Sequence, residues 1–168
     1  LFWVHMCEAS GPSGPGLPPP GPPMKTSTWR SSPAAGGDTW GRPPNMLRAG
    51  GDTWITGTYD PDLDLTYWGV AQAKPWMQAS RGTTGNDIAL YTSATLALRP
   101  KTGQLAWYFQ HAPGESLDLH EVYERVLVDV DGRKTAFTVG KVGILWKLDR
   151  MTGQFIDAKE TVFQNVFV

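Results

Sequence analysis

From Gly36 onward the chain is a succession of short apolar alternations, each closed within a few residues by Gly, Asp or Pro. Side chains on an extended backbone point alternately to its two faces, so a period of two specifies strands and the turn residues limit their length. The pattern predicts strands near 54–59, 65–70, 94–99, 105–110, 122–130, 134–139, 143–148 and 155–159. The Asp131-Gly132 pair separates two of them, and Gly accepts the positive φ that a tight hairpin turn demands. Helical periodicity is nearly absent, and eight Trp, 19 Gly and 14 Pro fit a turn-rich, aromatic-rich protein. The expected class is all-β and antiparallel.

Residues 9–36 have a different character, rich in Pro and Gly and too poor in apolar side chains to bury their own backbone. A linker or disordered arm over 1–35 is expected; a polyproline ligand is the functional alternative, and the abrupt change near Ala35 also fits a sequence artefact such as a frameshift. Cys7 is the single cysteine, which excludes an intrachain disulfide and a cysteine-based zinc site. A formal net charge of -1 supplies no basic field for a phosphate backbone, so no nucleic-acid partner is expected. No apolar run reaches the roughly 18 residues of a transmembrane helix. The stretch Leu1–Met6 lacks the features of a signal peptide. A first residue other than Met and an apolar end at Asn165–Val168 lead to the expectation that the chain is an internal fragment.

Two segments resemble each other, Leu98–Leu105 and Leu148–Phe155, with Thr-Gly-Gln cores 50 positions apart. That period suits a four-stranded propeller blade of about 40–50 residues, although a shared β-turn accounts for two copies equally well. The first copy extends from Ala97 to Trp107. There a small Ala lets a ring approach, Thr102-Gly103 turns the chain, and Trp107 is placed to pack across to the next blade as a structural residue.

The Ala97–Trp107 run resembles the tryptophan-docking motif of quinoprotein alcohol dehydrogenases, with Arg99 where that motif has Asp. The similarity continues in Gly50-Gly51-Asp52-Thr53-Trp54, Tyr59–Gly69, Lys74-Pro75-Trp76, Trp107–Gln110, Pro113-Gly114-Glu115 and Leu148-Asp149-Arg150. It covers roughly residues 36–168. The resemblance implies an eight-bladed β-propeller binding pyrroloquinoline quinone (PQQ) and a metal ion, of which this chain supplies about two blades. It also implies a small-molecule alcohol substrate, a cytochrome c-like electron acceptor and a periplasmic location.

Carried over residue by residue, the resemblance makes Trp54 the aromatic floor under the quinone, whereas the residues alone read it as packing beside a Gly-Gly turn. Gln72 stands 18 residues on, in the place of a metal-binding Asn, and its amide oxygen still suits a hard cation; alone it is a polar side chain at a strand end. Asp118 falls in the place of the catalytic base and metal ligand, whereas a lone Asp in a β loop reads as a turn former. Lys141 matches the basic residue that faces the quinone oxygens, or is a solvated lysine at a Gly-flanked turn. His120 replaces the acid that lanthanide-using members carry two positions beyond the base, which makes calcium the expected metal and a lanthanide the alternative. Trp40, in the second copy of Gly-Gly-Asp-Thr-Trp, is expected to be structural. The family's upstream acidic metal ligand finds no match in residues 1–35.

Nothing else in the chain competes: no dinucleotide fingerprint, phosphate loop or serine-nucleophile elbow occurs, and His5, His111 and His120 lack zinc spacing. Two functions are therefore carried forward, an alcohol dehydrogenase of which this fragment alone is inactive, and a non-catalytic propeller module that serves as an interaction platform. The dehydrogenase is the first reading, and the departures at Gln72, Arg99 and His120 keep the second open.

Overall fold

The computed structural model describes residues 39–44 and 47–164; the expectations for residues 1–35 lie outside them. Two four-stranded sheets follow each other along the chain. The first is β1 (Thr58–Asp60), β2 (Leu65–Val70), β3 (Ala94–Leu98) and β4 (Leu105–Gln110). The second is β5 (Val126–Val130), β6 (Arg133–Val139), β7 (Ile144–Asp149) and β8 (Phe155–Glu160). Both are antiparallel with neighbours in chain order, the arrangement that short turns between successive strands impose. The one helix among the described residues, α1 (Gln78–Arg81), is a single turn between β2 and β3.

The period of two is visible in burial. In β7, Ile144, Trp146 and Leu148 are buried while Leu145, Lys147 and Asp149 are partly exposed. These three join Leu65, Tyr67, Ala97, Trp107 and Phe109 of the first sheet in one apolar cluster. The core therefore lies between the sheets, where full burial of such a side chain stabilises by about 1.5–3 kcal/mol. Trp107 sits opposite Ala97 and donates from Nε1 to the Arg150 carbonyl at 3.2 Å. A Cβ on Gly153 would strike its indole ring, so the first sheet's indole lies on the backbone of the second sheet's turn. This is the crossing the sequence assigned to Trp107.

Polar contacts tie the same seam. Arg150 binds Asp60 of the first sheet at 2.7 Å and Asp129 of the second at 2.5 Å. Tyr67 donates its hydroxyl to the Arg150 carbonyl at 2.9 Å. The Asp131-Gly132 hairpin forms with positive φ at both residues, 51° and 74°. Trp40 is buried against Ala73 and Ala89, a structural placement as expected.

Two strands are shorter than predicted. The first begins at Thr58 rather than 54, and β5 begins at Val126 rather than 122. In both cases the missing residues have left the ladder to shape the region described next.

Candidate active site

Beyond Val70 the chain continues through buried Ala71, Gln72 and Ala73 alongside Gly50–Asp52, with Ala71 N–H on the Asp52 carbonyl and Lys74 N–H on that of Gly50, both at 2.9 Å. Gly51 pairs with Ala73 and Thr58 with Tyr67, so six residues, 52–57, stand opposite five, 68–72. The extra residue bulges the strand outward. Trp54 lies within this stretch and is 52% exposed, an aromatic face that the core has not taken.

The other half comes from the connection between β4 and β5. Asp118 has a left-handed backbone, φ 62°, which Asp tolerates better than most residues. Ser93 Oγ donates to the Leu119 carbonyl at 3.2 Å, and Glu115 Oε2 accepts the amides of Leu117 and Leu119 at 2.7 and 3.2 Å. The turn before β7 is joined to this segment by Lys141 N–H on the His120 carbonyl, 3.1 Å. The side chain of Glu121 is buried against Gly140 in the same turn, and burial pushes its carboxyl up to about 8.

Three of the four residues singled out by sequence meet at one carboxylate. Gln72 Nε2 donates to Asp118 Oδ1 at 2.7 Å, and Lys141 Nζ to Oδ2 at 3.1 Å. His120 Nε2 lies 3.5 Å from Oδ1, and its ring meets the Trp54 indole edge to face at 4.9 Å between centroids. Trp54 thus reaches the cluster through His120. The hydrogen bond from Lys141 holds the Asp118 carboxyl below the usual carboxylate range, so it is ionised at neutral pH. Burial lowers the His120 imidazole, with Asp118 pulling the other way. Lys74 and Asp52 form an ion pair of 3.1 Å beside them.

The donor set also bears on a cation. Gln72 is buried, its amide nitrogen is committed to Asp118, and its Oε1 has no hydrogen-bond partner. An orphaned amide oxygen beside an ionised carboxylate is the hard-oxygen chemistry that calcium takes. Among the described residues no group of three or more His, Cys, Asp or Glu stands ready to hold a metal. Gln72 and Asp118 therefore fit part of a coordination shell.

Sequence reasoning passed over Ser93, Arg81 and Arg125, all buried around this segment. The available signal was Gly69, a glycine inside β2 where a side chain would normally pack; a Cβ there would collide with Arg125 and with the Glu121–Val122 backbone.

The family model described as "PQQ: Glucose/ethanol/alcohol dehydrogenase, beta-propeller domain" matches residues 26–161. The quinohemoprotein alcohol dehydrogenase ADH IIB of Pseudomonas putida is 36% identical over 155 residues, 89% of this chain and 21% of that protein. The lanthanide-dependent methanol dehydrogenase of Methylacidiphilum fumariolicum is 36% identical over 149 residues, 86% of this chain and 22% of its own. The crystal structure of the Comamonas testosteroni quinohemoprotein alcohol dehydrogenase superposes with TM-score 0.63 at 33% identity, covering 67% of this chain and 17% of that one. The chain thus spans about a fifth of the length of the curated relatives it matches. With two antiparallel four-stranded sheets in series and a family match over most of its length, the chain belongs to the PQQ glucose/ethanol/alcohol dehydrogenase β-propeller family.

Proposed function

We propose that this chain is the part of a PQQ-dependent alcohol dehydrogenase that carries its catalytic base, one face of its cofactor site and part of its metal site. The observation that carries the reading is the convergence of Gln72, Lys141 and His120 on the Asp118 carboxylate, beside the exposed indole of Trp54. When bound, the quinone supplies a hydride acceptor and calcium or a lanthanide a Lewis acid. Trp54 offers a flat face on which a planar ring system stacks without competition for its polar edge. Gln72 Oε1 and the Asp118 carboxylate are the oxygens for the cation. Asp118, kept ionised by Lys141, takes the hydroxyl proton of an alcohol. Lys141 provides a fixed positive charge where negative charge develops. Quinohemoproteins among the relatives support a cytochrome c-like electron acceptor for the whole protein; a periplasmic location is part of the same proposal.

The test is optical titration of the full-length protein with the quinone, with and without calcium or a lanthanide, followed by alcohol-dependent dye reduction. Metal-dependent uptake and dye reduction are expected, and Asp118→Asn is expected to lower turnover by about 100-fold or more. Absence of metal-dependent uptake would eliminate the dehydrogenase and leave the non-catalytic propeller module. The isolated 168-residue chain is expected to show no turnover, since it supplies a fraction of the site.

A further inference from the structure

Asp118 lies in a connection without regular structure, yet its carboxylate meets partners from two other segments within 3.1 Å. We propose that Arg81 and Arg125 are positioning residues that clamp the backbone on either side of Asp118 and so fix where its carboxylate stands; the catalytic meaning of this clamp rests on the dehydrogenase reading.

Arg81 is fully buried. Its NH1 donates to the Pro75 and Trp76 carbonyls at 2.8 and 2.7 Å, and its NH2 to the Glu115 carbonyl at 3.1 Å. Gln78, one helical turn earlier, donates its side-chain amide to the Gly114 carbonyl at 2.6 Å and its main-chain N–H to Ser116 Oγ at 3.0 Å. The segment before Asp118 is thereby fastened to α1 and to the Lys74–Met77 loop.

Arg125, 2% exposed, does the same on the far side. Its NH2 donates to the Glu121 carbonyl at 2.8 Å and the Ala94 carbonyl at 3.3 Å, and its NH1 to the Tyr123 carbonyl. Nε and NH2 both donate to Thr95 Oγ1, at 3.0 and 2.7 Å. With its oxygen so occupied, the Thr95 hydroxyl directs its single hydrogen to His111 Nε2, 2.8 Å away. Burial, reinforced by the Arg125 charge, keeps His111 neutral and able to accept it. The clamp is thus anchored in β3 and at the end of β4.

The two arginines are alike in what they lack. Among the described residues neither forms a side-chain ion pair within 4.0 Å; main-chain carbonyls take most of their hydrogen bonds, and the carboxylates of Glu115 and Glu121 act on them from farther off. A guanidinium suits this role because its five donors, spread over a rigid planar fork, reach carbonyls of separate segments at once. The carbonyls they reach, Glu115 and Glu121, lie three residues before and three after Asp118. Gly69 leaves the space that Arg125 and its loop occupy.

The test uses the full-length protein with PQQ and calcium, comparing wild type with Arg125→Met, Arg125→Lys and Arg81→Met. Amide hydrogen exchange without cofactor is expected to rise by about tenfold over residues 115–124 in both Met variants, with β2, β3 and β7 unchanged. In loaded protein kcat falls by about 100-fold while the alcohol KM stays within about threefold, the signature of a misplaced group rather than a lost binding contact. Arg125→Lys recovers little, because an ammonium cannot fork. Unchanged exchange over 115–124, or unchanged kcat in folded and loaded variants, overturns the proposal. If the Met variants fail to fold, Thr95→Val removes the anchor alone; a smaller rise in the same segment supports the clamp and no rise overturns it. If wild type takes up quinone and oxidises no alcohol, the dehydrogenase reading falls with it, and the exchange result by itself decides for or against the clamp.

Discussion

The turns at Arg99–Gln104 and Asp149–Gln154 share two backbone hydrogen bonds, one of them between their first and last residues, and only the first adds a third, from Thr102 N–H to the Arg99 carbonyl at 3.2 Å. Gly103 N–H donates to the Arg99 carbonyl and Gly153 N–H to that of Asp149, each at 2.8 Å, and both glycines are left-handed, at φ 70° and 73°. Both strand pairs carry a bulge just before the turn, at Ala97/Leu98 and Lys147/Leu148. The surroundings differ. Asp149 Oδ1 accepts the amides of Met151 and Thr152 and the Thr152 hydroxyl, each at 2.9 Å, whereas Arg99 has no side-chain acceptor for the corresponding groups. Gly153 lies under the Trp107 indole, while a Cβ on Gly103 would meet nothing within 4 Å. The first turn therefore closes without a carboxylate cap, with Thr102 Oγ1 accepting the Gln104 amide at 3.2 Å. The carboxylate cap and the indole are separate additions, and glycine is required for conformation at one turn and for both conformation and space at the other.

The largest blow to this contrast is Trp107→Ala, which opens a cavity between the sheets and is expected to cost about 3–5 kcal/mol in unfolding of the full-length protein. Next is the pair of glycine replacements. Gly103→Ala is expected to cost about 1–2 kcal/mol for a left-handed alanine, and Gly153→Ala a further 1–3 kcal/mol or so from collision with the indole. Equal losses in thermal melts would show that Trp107 does not press on the second turn. The smallest effects concern the cap. Asp149→Ala is expected to lose about 1 kcal/mol, and Arg99→Asp to gain about 0.5 kcal/mol by giving the first turn the acceptor it lacks. A neutral or destabilising Arg99→Asp would separate the two turns more deeply than their hydrogen bonds do.

The strands were largely legible because a period of two leaves a trace in every strand with one buried face; β2 and β4 coincide with their predicted spans. The failures at 54–57 and 122–125 have a common origin. Apolar and β-prone residues there satisfy the pattern, but a bulge opposite 68–72 and the inward-turned Arg125 decide their geometry, and neither is written in local periodicity. The site was less legible. Trp54, Gln72, Asp118 and Lys141 stood out only through the order and spacing of family motifs. Their meeting depends on Lys141 N–H reaching the His120 carbonyl across 21 residues of chain, a contact no local rule predicts. Asp118 has the left-handed backbone that Asp tolerates in loops, and its carboxylate meets Gln72 and Lys141. Arg81 and Arg125 escaped because charged residues between strands are ordinarily solvated, and their burial follows from tertiary packing.

The seat of Trp107 also bears on how the molecule comes apart. By chain the indole belongs to the first sheet, yet its polar and steric partners, the Arg150 carbonyl and Gly153, belong to the second. Neither sheet can melt without stripping the other of a core side chain, so the seam between two repeats is not a seam in cooperativity. Heat is expected to find a single transition across both sheets, and protease sites in the β4–β5 connection and in the Thr152-Gly153 turn are expected to open together.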